Sequence, residues 1–280
     1  EGRGEGFRSP SPSTQGLNWS LKRLHKLILL STAYRQSSFR DAKKERIDPD
    51  NRLYWRKPVQ RLDAEALRDS ILAVSGSFNP KMFGPPIPVR EDAFGQIVVG
   101  IDKKEGDSKN PVEVDMGGED CRRSVYVQVR RSQPLAVLNT FDAPVMEVNC
   151  ERRQSSTVAT QALMLMNSDF ILKHAARFAQ RLRHEAGDDP RAQVLRAWQL
   201  AFSRLATEKE ISDTLDFLTQ QRDQLKALQE MEPPPKADKQ GEAKDATKEA
   251  RPVEKPDPQS QALTSLCQAL LSANEFLYAN

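Results

Sequence analysis

Between Thr157 and Met231 the apolar residues return every third or fourth position, and this repeat constrains the chain more than any other feature. A period near 3.6 residues gathers such side chains on one face of a helix. The spacing predicts a helix from about Thr157 that breaks near Asn167–Ser168. A second runs to about His184, with Ile171, Ala175, Phe178 and Leu182 along one side. Asp189 and Pro190 supply an N-cap and a first-turn proline for a third, whose stripe is Val194, Trp198 and Phe202. "TEKE" at Thr207–Glu210 is a capping box opening a long helix, with Ile211, Leu215, Leu218, Leu225 and Leu228 facing inward. Residues 259–280 carry a last stripe of Leu263, Leu266, Leu270 and Phe276. A helix that short is unstable alone in water, so it is expected to pack back on the others.

Before that last helix, residues 232–258 are charged and Pro-rich with almost no apolar side chain. They cannot bury enough surface to offset their ordering entropy and are expected to be a disordered linker. Residues 1–17, rich in Gly, Ser, Pro and Arg, are expected to be disordered or a non-native leader. The residues that follow Glu1 do not read as a signal-peptide pattern.

The segment 18–231 is predicted to form the main helical domain. A helix is expected over about Trp19–Ser37, with Asn18 as N-cap and Leu21, Leu24 and Ile28 on one face. "DPDN" at Asp48–Asn51 signals a turn. A further helix follows Asp63, with Leu67, Ile71 and Val74 inward and Gly76 suited to a left-handed C-terminal position. Residues 77–120 are rich in Pro and Gly, and "FGPPIPV" is extended because consecutive prolines exclude a helix. "GQIVVGID" reads as a short strand. "RRSVYVQVRR", Arg122–Arg131, reads as the clearest strand, with Val125, Val127 and Val129 on its apolar face. The expected fold is therefore mostly α, a helical bundle with a small β element near residues 96–131.

Composition narrows the chemistry. The 280 residues are 38% hydrophobic, enough for one fair-sized core, and the net charge of +3 is too small to indicate a nucleic-acid-binding face. No apolar run approaches the roughly 18 residues of a spanning helix. Cys121, Cys150 and Cys267 form no C-x-x-C or C-x-x-C-H, so the sequence offers neither a zinc pattern nor a c-type haem attachment. Cys121 and Cys150 either pair, if the chain is exported, or remain buried thiols. His25, His174 and His184 sit among Lys and Arg and read as solvated, with no metal ligand at the right spacing. No phosphate loop or dinucleotide fingerprint is present. The carboxylates Asp63/Glu65 and Asp48/Asp50 fit a helix start and a turn.

The arginine pairs stand apart. Arg122/Arg123, Arg130/Arg131 and Arg152/Arg153 face only Asp142, Glu147 and Glu151 across the same stretch. A buried arginine needs a partner. Asp142, in "FDAP", is the expected anion for Arg152 or Arg153, in a structural network. The alternative is an anion site for a carboxylate, sulfate, phosphate or acidic sugar. Ser155, Ser156 and Thr157 are expected to cap the helix carrying Gln161 and Asn167.

Six blocks carry a resemblance. "WSLKRLHKLILLSTAYRQSS", "DPDNRLYWRKPVQRLDAEALRDSILAVSG", "RRSVYVQVRRSQP", "FDAP", "ERRQSSTVATQALMLMNSDF" and "SANEFLYAN" occur in this order. Together they resemble the planctomycete-specific C-terminal domain of unknown function, found in exported proteins with a cytochrome-c-like region. The resemblance covers about residues 18–280 apart from the linker. It implies a periplasmic or cell-surface location, an upstream cytochrome-like domain or other exported proteins as partners, and haem c in that upstream domain rather than here. The expectation is a noncatalytic accessory or interaction module. The alternative is an enzyme domain acting on carbohydrate or another anionic substrate near Arg152–Asn167.

Overall fold

The computed structural model describes residues 19–103, 112–144, 153, 155–231 and 257–279. The leader 1–17, nearly all of the linker 232–258, Cys150 and Arg152 lie outside the described residues. The chain divides into two compact units, one ending at Gln60 and one running from Arg61 to Ala279.

In the first unit, α1 (Leu21–Leu29) starts at Ser20, whose hydroxyl accepts from the Arg23 amide. The helix is shorter than the predicted Trp19–Ser37. Ser31 ends it: its hydroxyl donates to the Ile28 carbonyl at 2.7 Å and accepts from the Tyr34 amide at 3.2 Å. That local bonding competes with the next helical turn. α2 (Ala42–Ile47) is capped by Asp41, and Arg40 pairs with Glu45. The "DPDN" turn closes around Asp48, whose carboxylate accepts from the Arg52 and Leu53 amides at 2.9 and 2.7 Å. Trp55 donates its indole N–H to the Asp48 carbonyl.

β1 (Gln60–Arg61) is followed in the second unit by α3 (Ala64–Val74). Leu67, Ile71 and Val74 are buried as the stripe requires, and Gly76 takes φ 73° just beyond the helix. Arg181 closes that end by donating to the carbonyls of Ala73 and Val74. A hairpin of β2 (Val89–Glu91) and β3 (Ile97–Val99) follows, in the register Val89 to Val99. Its turn is held by Asp92, which accepts from the Phe94 and Gln96 amides. β4 (Asp102–Lys103) pairs with β5 (Val112–Glu113). Next come α4 (Ala136–Thr140), α5 (Ala159–Asn167), α6 (Asp169–Ala186), α7 (Pro190–Phe202) and α8 (Glu208–Met231). α9 (Pro258–Leu271), α10 (Asn274–Leu277) and β6 (Tyr278–Ala279) complete the unit. The architecture is mostly α, with only short two-stranded ladders among the described residues.

α6 is the hub, packing on α3, α5, α7 and α9. Ile171, Ala175, Phe178 and Leu182 are wholly buried, against Val194, Ala197, Leu263, Cys267 and Leu271 in the same core. α5 and α6 meet at the single extended residue Ser168, and Gln268 of α9 donates to the Met166 carbonyl at the end of α5. Asp189 caps α7, and Thr207 and Glu210 bond reciprocally at the start of α8. Arg204 grips Glu210 of α8 and Glu275 of α10 together, and Leu62 donates its amide to the Leu277 carbonyl, so the C-terminal helices are fastened at several points. Leu228 does not face inward as its spacing predicts: it is exposed near the end of α8.

The predicted strand Arg122–Arg131 is not formed. Ser124–Tyr126 is a 3-10 turn, and only isolated bridges link Asn79 to Arg122 and Ile87 to Val127. Val127 is buried, but Val125 and Val129 are 72% and 64% exposed. The neighbouring segment explains this. Pro85, Pro86 and Pro88 have no amide to donate, so Ile87 alone bonds, to Tyr126 and Gln128. α3 supplies the rest: Asp69 accepts from the Ser124 amide and hydroxyl, both at 2.7 Å. The ladders in this part of the chain therefore lie at residues 89–103 and 112–113.

Candidate ligand cleft

The arginines singled out by their pairing go to separate places. Arg122, 1% exposed, donates to the carbonyls of Lys81, Phe83 and Pro85 and to Glu119, and lies 4.2 Å from the Tyr126 ring centroid. It clamps the proline-rich loop. Arg123 is 3.7 Å from Asp69, Arg130 reaches Gln133, and Arg131 is exposed.

Asp142 does not pair with Arg153. Its carboxylate accepts from Arg61 at 2.6 Å and from the Ser156 amide and hydroxyl at 2.7 and 2.9 Å. Burial acts to raise its pKa, but these bonds from Ser156 and Arg61 prevail and hold it below the usual carboxylate range. Arg153 instead binds Glu65 at 2.6 and 3.1 Å, beside the start of α3. Ser156 is occupied by Asp142 and does not cap α5. The N-cap there is Val158, and Ser155 and Thr157 make no cap either. Gln161 donates to the carbonyls of Thr140 and Ser156, tying α5 to the Asp142 corner. Of the predicted polar cluster, only Asn167 reaches the cleft described next.

That cleft, about 610 Å³, lies within the second unit among the β2–β3 hairpin, α4, the α5–α6 junction and one face of α6. This is the size of a small-molecule site. Phe170, Lys173, His174 and Arg177, at helical spacings of three, four and seven, form the α6 wall. Val99, Val137 and Met164 give the opposing side an apolar surface. Arg68 of α3 also lines it. Arg68 is 1% exposed and donates to the carbonyls of Asp120 and Arg122 and to the Ser124 hydroxyl. Its Nε has no hydrogen-bond partner, and its nearest carboxylate, Asp69, is 3.8 Å away.

His174 is not solvated. It is 2% exposed, bonded through Nδ1 to Ser75 Oγ at 3.1 Å, and packed edge-on against Phe170. Burial, then the nearby Arg177, Lys173 and Arg68 charges, push its pKa down to about 3, so it is neutral across the ordinary pH range. Arg177 donates to Ser77 Oγ at 3.1 Å and approaches the Cys121 sulfur at 3.6 Å. Burial raises the pKa of the Cys121 thiol. Its expected partner Cys150 lies outside the described residues.

Arg68 and His174 were legible in principle. Arg68 falls on the same helical arc as Leu67 and Ile71, and His174 on that of Ile171, Ala175 and Phe178. A polar residue inside an apolar stripe is the signal. Among the described residues, no cluster of three or more His, Cys, Asp or Glu is placed to hold a metal, and no helix is long and apolar enough to cross a membrane. The family model described as PSD1, protein of unknown function (DUF1553), matches residues 14–218. No curated protein and no solved structure matches.

Proposed function

Because the chain belongs to the PSD1 (DUF1553) family, whose function is unknown, we propose that it is a noncatalytic interaction module. One observation carries this reading. α1 is strongly amphipathic yet buries none of its residues, and Leu21, Leu24, Leu27 and Ile28 are all exposed. An apolar helical face of this kind, with Lys22, Arg23 and Lys26 interleaved, is suited to recognition by a partner's groove. Tyr34, Phe39, Leu53 and Tyr54 add exposed apolar surface in the same unit. The partner in this proposal is the cytochrome-like region of an exported protein, as the family resemblance implies, with haem c held there. An enzyme reading gains little from His174, since a base with a pKa near 3 is poorly matched to proton abstraction at neutral pH.

The test is co-purification of this chain with the cytochrome-like region of the same gene, expressed separately and followed by its Soret absorbance. The chain should carry haem absorbance through gel filtration, and Leu24→Glu with Ile28→Glu should weaken the complex by at least about tenfold. Circular dichroism would confirm that the variant keeps its helices. An absent complex, or one indifferent to the two substitutions, overturns the proposal.

A further inference from the structure

The cleft beside α6 is lined by cations that the fold pairs only loosely. Arg68 is wholly buried, its guanidinium meets two carbonyls and a hydroxyl, and its Nε is left without a partner. Burial lowers its pKa, the mark of a charge short of compensation. The carboxylate nearest to it, that of Asp69, already accepts two bonds from Ser124 and lies 3.7 Å from Arg123. Arg177 lines the same cleft and bonds to Ser77 and Cys121, with no carboxylate within 4 Å among the described residues. Lys173 projects from the same face of α6 and lies 3.8 Å from Asp120.

Asp92, Asp115, Asp120 and Asp169 also line the cleft, but of these, among the described residues, only Asp120 comes within 4 Å of Arg68, Lys173 or Arg177, at Lys173. Asp92 and Asp115 accept from turn amides, those of Phe94 and Gln96 and that of Gly117. Asp169 is exposed at the first turn of α6. Arg68 and Arg177 thus line the cleft with no hydrogen-bonded carboxylate, and a buried charge so weakly compensated is costly unless an anion meets it. The other wall is apolar, formed by Val99, Val137 and Met164, with the Phe170 ring at the edge. An inorganic ion alone would leave that wall wet.

We propose that this cleft binds a small organic oxyanion, its charged group against Arg68, Lys173 and Arg177 and its apolar body on Val99, Val137 and Phe170. Guanidinium groups suit carboxylate, sulfate and phosphate alike, since each offers two oxygens in a plane. The site is independent of the α1 face, so either proposal can fail without the other.

The probes are benzoate, phenyl sulfate and inorganic sulfate, titrated calorimetrically into the full chain, with chloride matching the ionic strength. At least one organic probe should bind saturably at one site and more tightly than inorganic sulfate. Benzoate against phenyl sulfate distinguishes a carboxylate site from a sulfate or phosphate site. Arg177→Gln should weaken binding about tenfold or more. Lys173→Gln, at an exposed position, should weaken it by a smaller factor. Arg191→Gln, which removes a surface pair with Glu208, should leave it unchanged. The proposal is overturned if none of the three probes binds saturably, or if Lys173→Gln and a folded Arg177→Gln bind as the wild type does.

Discussion

Arg122 and Arg68 are equally buried, and Arg68 donates to the Arg122 carbonyl, and yet they are opposites. Every nitrogen of the Arg122 guanidinium has an acceptor, including a carboxylate of Glu119. Arg68 has carbonyls and a hydroxyl, an orphaned Nε, and no hydrogen-bonded carboxylate. Burial alone therefore does not distinguish a structural arginine from a binding one. The distinction lies in how completely the fold satisfies the group. Arg122 is a finished clamp on the proline-rich loop, whereas Arg68 borders a cleft with room for something else.

The largest effect should come from breaking the clamp. Arg122→Ala should destabilise the chain by about 3–5 kcal/mol, since it strands Glu119 and three loop carbonyls. Denaturant unfolding measures this. Arg68→Met, which removes a poorly compensated charge of similar volume, should cost about 1–2 kcal/mol. Equal losses for the two would erase the contrast.

A pH effect of similar size should come from His174. Its folded pKa lies near 3, below the ordinary value of 6.5, so the unfolded chain takes up a proton that the folded chain refuses. The stability this contributes is intact above about pH 6.5 and is lost as pH falls, by roughly 3 kcal/mol on reaching about pH 4. His174→Asn, which can still bond to Ser75, should flatten that slope. An unchanged slope in the variant would place the titration elsewhere.

The ion pairs outside the cleft should rank by burial. Asp142→Asn weakens the contact with Arg61 and should cost about 1–3 kcal/mol. Arg153→Ala removes a half-exposed pair with Glu65 and should cost no more than about 1 kcal/mol. Reversal of that order would mean that Arg153, not Arg61, carries the structural load in this region.

The helices were legible because their periodicity is long and their caps are local. The break at Asn167–Ser168, the Asp189–Pro190 start and the Thr207–Glu210 box all involve neighbours in sequence. What failed depended on distant residues. Arg122–Arg131 alternates like a strand, but pairing needs amides that Pro85, Pro86 and Pro88 lack, and Asp69 offers its backbone another partner. Proximity in sequence points Asp142 to the arginines ten residues away, whereas its partner Arg61 comes from 81 residues upstream. The charged neighbours of His174 suggest solvent, whereas its position on the arc of Ile171, Ala175 and Phe178 points inward. Of the doubled arginines, Arg122 and Arg153 are satisfied by Glu119 and Glu65, while the single Arg68 and Arg177 line the cleft.

Thermal melts of wild type, Arg153→Ala and Arg177→Gln, each with sulfate or with chloride at matched ionic strength, test the central distinction most directly. Ligand that binds only the folded state raises the melting temperature. Sulfate should stabilise the wild type and Arg153→Ala to the same extent, and should stabilise Arg177→Gln far less. A sulfate response that survives in Arg177→Gln and disappears in Arg153→Ala would contradict the account, returning the anion site to the paired arginines.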